Sequence, residues 1–472
     1  MAQVARSRRR NLVLLVAGVL LFLIFHRTYA PGSLRQTGGP STADHGRFWV
    51  KFHDILKVTA PDCNSPKRLE DHPTAIGFKP DEADSVTLPE HIVVEEEDKE
   101  KLKKAHSHFM SLLSAPNAPR LAYKPRTRGI VSTAGGSFLP VVVTSLHMLR
   151  QTGSDLPVEI FIADPSEHDE YICNSLFPSL NARCITLSEI LDHSPLAAGL
   201  KKYQFKIFSL LFSSFEEVMF LDADAFPMHD PGRLFAAEPF SSHGLVTWPD
   251  FWQVTYHKSF FENHVAAHSP KVSRTPLPSL KSHAKMLLLS AYYNFYGPSH
   301  YYPLLSQGHP GEGDKETFLA PARILNLPFY AVSTGPGVFG YKKPDGGWEG
   351  GVIMQADPIW DSKLQKDQSF GWGGKPNAPP NSFITCHANL PKLEPVRVFG
   401  DKGLAWTEDN KPKRMWGPAE EMIGRVGHDI EKDLWKALAS TACVLEGKYK
   451  PWDGKPKLCE KIMNFISDMN GK

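Results

Sequence analysis

Two carboxylates, Asp222 and Asp224, follow the apolar run Val218-Met219-Phe220-Leu221 with a single alanine between them. Side chains at i and i+2 of an extended chain point to the same side. Such a pair suits a hard divalent cation bound through oxygen, manganese or magnesium, since no soft ligand lies nearby. A cation there holds a nucleotide diphosphate and neutralises the charge that grows on it as a glycosidic bond breaks. An exposed acidic turn is the plain alternative. Three further stretches carry polar chemistry. Gly129 to Gly136 lets backbone approach a nucleotide, with Thr133 and Gly135 as candidates, although it is neither a G-x-G-x-x-G nor a Walker loop. Lys206, one helical turn after Tyr203, is placed to reach a diphosphate. Gly311 to Glu316 gathers Glu312, Asp314 and Glu316 beside two glycines, which reads either as chemistry or as a helix start whose acids suit the dipole.

Positioning such groups takes a scaffold, and the pattern supplies one. Residues 129–133, 158–163, 183–187, 218–221 and 244–248 read as short buried strands, with helical periodicity over 138–152 and 203–213. That βαβ order predicts an α/β fold, a mostly parallel sheet with helices on both faces and ligands beyond the carboxyl ends of its strands. Beyond Pro249 prolines and glycines multiply, and a loop-built half is expected over 251–472. Upstream, charged residues 95–104 with Leu102, Ala105, Phe109 and Leu112 at helical spacing predict an amphipathic helix.

The N-terminus carries Arg6, Arg8, Arg9 and Arg10, then an uncharged apolar run from Leu12 to Phe25. This reads as a cytosolic tail over 1–11 and a signal-anchor helix over 12–26, with a cleaved signal sequence as the alternative. Either delivers the rest to an oxidising lumen, where six cysteines can pair; Cys443 with Cys459 is the pairing expected. Residues 27–90, rich in Pro, Gly, Ser and Asp, read as a stem. The net charge is +2, and four positive charges sit in the tail, so the remainder is about neutral and nucleic acid is a poor partner.

Five blocks in this order, GIVSTAGG (129–136), LPVEIF (156–161), YQFKIFSLLFSSFEEVMFLDADAFP (203–227), GLVTWPDFW (244–252) and GEGDKETF (311–318), resemble the fungal Golgi α-mannosyltransferases that build mannan branches, the α-1,2 type above all. The resemblance spans about 125–395. It implies a GT-A-like nucleotide-sugar-binding domain over 91–472, with a nucleotide-binding half at 128–250 and an acceptor half at 251–472. It also implies GDP-mannose as donor, Mn2+ as metal with Mg2+ as substitute, and retention of the α configuration. The acceptor is then mannan or a glycoprotein glycan, the location a single-pass type II Golgi membrane protein, and a Golgi mannosyltransferase complex a further partner. An α-1,3 linkage is the runner-up.

Carried onto this chain, the metal motif falls on Asp222 and Asp224, with Asp222 nearer the ribose as well. CHANLPK (386–392) looks like the His-x-x-x-x-Lys element of related retaining transferases, making His387 a third metal ligand and Lys392 a diphosphate contact. Retention lets the departing phosphate take the acceptor's proton while a carboxylate steadies the oxocarbenium-like carbon. Asp314 is assigned that role or a grip on acceptor hydroxyls, with Glu316 second. Trp248, Asp250 and Trp252 are candidates to frame a sugar. Two other classes remain as rivals: a glycosidase, whose carboxylates must straddle the scissile bond, and a non-catalytic lumenal lectin or subunit.

Overall fold

The computed structural model describes residues 39–69, 73, 90–194, 200–201, 203–252, 255–262, 277–342, 348–366, 382–400, 404–407, 409, 411–455 and 457–470. The expected tail and anchor over 1–26 lie outside the described residues. Among the described residues, no helix is long and apolar enough to cross a membrane.

Residues 40–472 make up one unit, and its first helix, α1 (Thr42–Val58), falls where the sequence suggested a stem. Ser41 starts it with a capping box: its hydroxyl accepts from the Asp44 N–H, and the Asp44 carboxylate accepts from the Ser41 N–H. Phe48, Trp49, Phe52 and Leu56 recur three to four apart and face inward. Trp49 and Phe52 are fully buried, and the Trp49 indole donates to the Leu191 carbonyl at 3.0 Å. Thus α1 belongs to the folded unit, because its apolar stripe has a core to cover. The amphipathic helix α2 (Glu96–Ser114) forms as its spacing predicts, and Phe109 stacks on Tyr292 at 4.2 Å.

The parallel sheet is built from β1 (Lys124–Thr133), β2 (Val158–Ile162), β3 (Ala182–Thr186) and β4 (Phe215–Phe220), in the order β3-β2-β1-β4. Helix α3 (Leu139–Gln151) links β1 to β2, and α4 (Gln204–Leu211) precedes β4. The apolar runs Ile130-Val131 of β1, Ile160-Phe161-Ile162 of β2 and Val218-Met219-Phe220 of β4 are buried, as a sheet covered on both sides requires.

After β4 the chain changes sheets. β5 (Ala225–Pro227) joins a second, antiparallel sheet with β6 (Gly337–Lys342), β7 (Trp348–Ala356) and β8 (Phe383–Leu390), ordered β6-β7-β8-β5. The second half is therefore far more regular than its prolines and glycines suggest. It also contains the buried helix α5 (Ala284–Phe295) and the C-terminal pair α6 (Ile430–Leu445) and α7 (Leu458–Asn470). Helix α6 packs on α3, where the Thr144 and Thr441 hydroxyls meet at 3.0 Å. The expected Cys443–Cys459 disulfide ties α6 to α7, and a second bond, Cys173–Cys184, staples β3 to the segment before it.

If α1 is part of the fold, Trp49→Ala will lower the unfolding free energy by roughly 3–5 kcal/mol in a urea titration. A change within about 0.5 kcal/mol, the usual range for a surface position, contradicts its docking.

Candidate active site

The chemistry collects where the two sheets meet. β4 ends with the Leu221 N–H donating to the Val131 carbonyl of β1 at 2.9 Å, and the next three carbonyls are each held by a different element. The Asp222 carbonyl accepts from the Ala225 N–H at 2.9 Å, the Ala223 carbonyl from the Ser145 hydroxyl of α3 at 2.7 Å, and the Asp224 carbonyl from the Ala388 N–H of β8 at 2.9 Å. With its backbone pinned on three sides, the turn presents Asp222 and Asp224 to one cleft of about 540 Å3.

Register delivers the other residues. β5 pairs with β8 so that Ala225 faces His387 and Phe226 faces Cys386. Alternation then buries Cys386 in the core and turns His387 to the cleft. His387 Nε2 lies 3.0 Å from one Asp224 oxygen, and Lys392, just past β8, donates to the other. Asp224 itself is buried. Burial pushes its carboxyl up, yet the His387 ring and the Lys392 ammonium beside it overcome that and hold it far below the ordinary carboxylate range.

Lys206 reaches the same place from α4. Its ammonium is 3.0 Å from Asp222 and 3.4 Å from Asp314, and sits 5.2 Å from the centre of the Phe220 ring. Asp314 is almost inaccessible to solvent: burial raises its carboxyl, Lys206 opposes the shift, and the nearby Asp222 charge adds to it. Among the described residues no three His, Cys, Asp or Glu side chains form a ready metal cluster. Asp222 lies beside Lys206, and Asp224 lies between His387 and Lys392.

Thr133, Gly135, Lys206, Asp222, Asp224, Asp314, His387 and Lys392 all line the cleft. The acids of 311–316 separate. Glu312 sits at the cleft held by Arg68 and by the Gly308 N–H at 2.6 Å, and Asp314 faces Lys206. Glu316 is not among the lining residues: it is buried, with Lys315 4.0 Å away. Desolvation raises its carboxyl to about 7 despite Lys315. Trp248 is a packing residue, fully enclosed with its indole donating to the Ala356 carbonyl at 2.6 Å.

Sequence reasoning missed the Lys315–Asp250 pair, a 2.9 Å bridge with both side chains buried, and it missed Glu167. A lone lysine inside an acidic run was the available signal for the first. Nothing in the sequence singled out Glu167.

A family model described as "Mannosyltransferase putative" matches residues 127–276 and 279–358. The α-1,2-mannosyltransferase MNN21 of Candida albicans is 32% identical over a stretch covering 80% of this chain and 67% of that protein. For the α-1,2-mannosyltransferase MNN5 of Saccharomyces cerevisiae the identity is 32%, covering 78% of each. This chain belongs to the fungal α-1,2-mannosyltransferase family. Among solved structures, the galactosyltransferase LgtC with donor and acceptor sugar analogs aligns at 13% identity and a TM-score of 0.29, over 43% of this chain and 73% of that one. In this family member the matched stretch contains Lys206, Asp222, Asp224 and Asp314, whereas His387 and Lys392 lie beyond it.

Glu316 sets a pH signature. Its folded pKa is raised from 4.5 to about 7, so its contribution to stability is intact below pH 4.5 and is lost as pH rises through 7. The loss amounts to roughly 3 kcal/mol. Glu316→Gln, neutral throughout, will remove this fall from the unfolding free energy measured between pH 4.5 and 8. Parallel curves for the two proteins contradict the buried placement.

Proposed function

We propose that this enzyme transfers mannose from GDP-mannose to a mannose-containing glycan, mannan or a glycoprotein glycan, forming an α-1,2 linkage with retention. The observation that carries the reading is the pinned Asp222-Ala223-Asp224 turn at the carboxyl end of the parallel sheet, surrounded by Lys206, His387 and Lys392. Relatives named α-1,2-mannosyltransferases across most of the chain support the sugar and the linkage.

Asp222, Asp224 and His387 would hold a divalent cation. The donor types suit manganese, two carboxylates and an imidazole, and all three side chains line the same cleft without already converging as a cluster. Asp224 is also a buried carboxylate that already draws positive charge onto both of its oxygens. When bound, the cation offsets negative charge on the diphosphate leaving group. Lys206 and Lys392 supply ammonium groups to the phosphate oxygens. Asp314, buried beside Lys206 at the cleft, would steady the positive character of the sugar's reacting carbon. The acceptor hydroxyl's proton passes to the departing phosphate oxygen on the same face, so no strong base is required of the protein.

The arginine-flanked apolar segment over 12–26 supports a type II membrane topology, the resemblance to Golgi α-mannosyltransferases supports a Golgi location, and the two disulfides are in keeping with a lumenal catalytic domain.

The test is transfer from GDP-mannose to an α-mannoside by the purified protein, with linkage analysis of the product. Activity is expected to rise with Mn2+ and to fall at least about 100-fold in Asp224→Asn. Full activity in Asp224→Ala, or release of free mannose without nucleotide, contradicts the assignment.

A further inference from the structure

We propose that Glu167 recognises the base of the donor nucleotide as guanine. The inference rests on the nucleotide-sugar reading of the cleft and adds the residue that selects among nucleotides.

The cleft is polarised along the carboxyl edge of the parallel sheet. At the β4 end stand Asp222 and Asp224 with Lys206 and Lys392, the groups suited to a diphosphate. Two strands away, after β2, the wall changes character. Phe161, Ala163 and the carboxylate of Glu167 come from the end of β2 and the turn after it, and Ala134, Gly135 and Phe138 from the turn after the intervening β1. Strands lie about 4.8 Å apart, so the β2 end is roughly 10 Å from the β4 end, the direction and scale in which a base extends from its diphosphate. Phe138 remains 40% exposed although it lines this wall, which leaves an aromatic face open for a flat ring to stack on.

Glu167 is held rather than waving in solvent. Asp164 accepts from the Ser166 N–H at 2.8 Å and shapes the short turn Pro165–Glu167, and the Ala163 N–H donates to Glu167 Oε2 at 3.2 Å. Across from it Gly135 is extended, with φ of 178°, so the backbone there does not itself demand glycine. The absence of a side chain lets the Glu167 carboxylate come close: a Cβ on Gly135 would lie 2.0 Å from Oε2, so a larger residue there would push the Glu167 side chain aside. Among the described residues no Lys, Arg or His forms an ion pair with Glu167, and the acid keeps free acceptor capacity on Oε1.

A carboxylate offers only acceptors. Guanine presents two adjacent donors on its Watson–Crick edge, N1–H and the 2-amino group. Adenine places a ring acceptor there, which a carboxylate repels, and uracil has a single N–H between two carbonyls. Hypoxanthine keeps N1–H and lacks the amino group. A site built to bond a donor discriminates strongly against the analogue that lacks it.

The test is calorimetry on the full chain with Mn2+ present, titrating GDP, inosine diphosphate, ADP and UDP. GDP is expected to bind about tenfold or more tightly than inosine diphosphate, with ADP and UDP weaker still. In Glu167→Gln, GDP should weaken by about tenfold or more and lose its advantage over inosine diphosphate, while ADP and UDP change little. Equal binding of GDP and inosine diphosphate by the unaltered protein overturns the proposal, as does an unchanged GDP preference in the variant. Uniform loss of all four nucleotides from a variant that melts normally also overturns it. Failure of the unaltered protein to bind any nucleotide diphosphate instead removes the donor reading beneath it.

Discussion

A carboxylate as enclosed as Asp224 has to be matched by positive charge, and much of the architecture serves that requirement. Taking the charge out of water costs several kcal/mol unless cations and hydrogen bonds compensate. His387 and Lys392 provide the compensation from β8 and the residues just after it, more than 160 positions along the chain. They reach Asp224 only because β5 departs from the parallel sheet and pairs with β8 in a register that sets Ala225 against His387. A slip of one residue would turn His387 into the core and Cys386 toward the cleft. The site therefore depends on the junction between two sheets more than on either sheet alone.

The charges that neutralise one another here are also the complement of a metal diphosphate, carboxylates for the cation and ammonium groups for phosphate oxygens. Lys206 shows the economy of the arrangement: one ammonium lies between Asp222 of the metal motif and Asp314 of the loop over 311–316. It couples the turn after β4 to the loop over 311–316. The strand ends order the remaining functions, with β4 presenting the acids, β1 the Thr133 to Gly135 turn and β2 the Glu167 segment.

Local signals in the sequence carried four strands of the parallel sheet, because each contains a short apolar run, whereas the strand read at 244–248 pairs in a separate three-stranded sheet with 277–278 and 330–331. The pair Asp222 and Asp224 was legible as a cleft feature, because two acids directly after a buried strand are out of place unless they meet something. The antiparallel sheet was not legible, since β7 and β8 are interrupted by glycine and polar residues and owe their pairing to distant partners. Helix α1 was lost in a segment judged by its composition, although Phe48, Trp49, Phe52 and Leu56 already marked a buried stripe. Within 311–316 the residue types were right but their directions were not readable. A short 3-10 turn at Lys315–Thr317 sends Glu316 into the core while Asp314 stays at the cleft.

The central claim is that Asp222 and Asp224 together hold a cation that carries the donor's diphosphate. Electron paramagnetic resonance of Mn2+ addresses it without relying on turnover. The free-ion signal is expected to be quenched when protein and GDP are both present, and to persist when Asp222→Asn and Asp224→Asn are combined in a protein that melts normally. Equal quenching by that double variant would contradict the account.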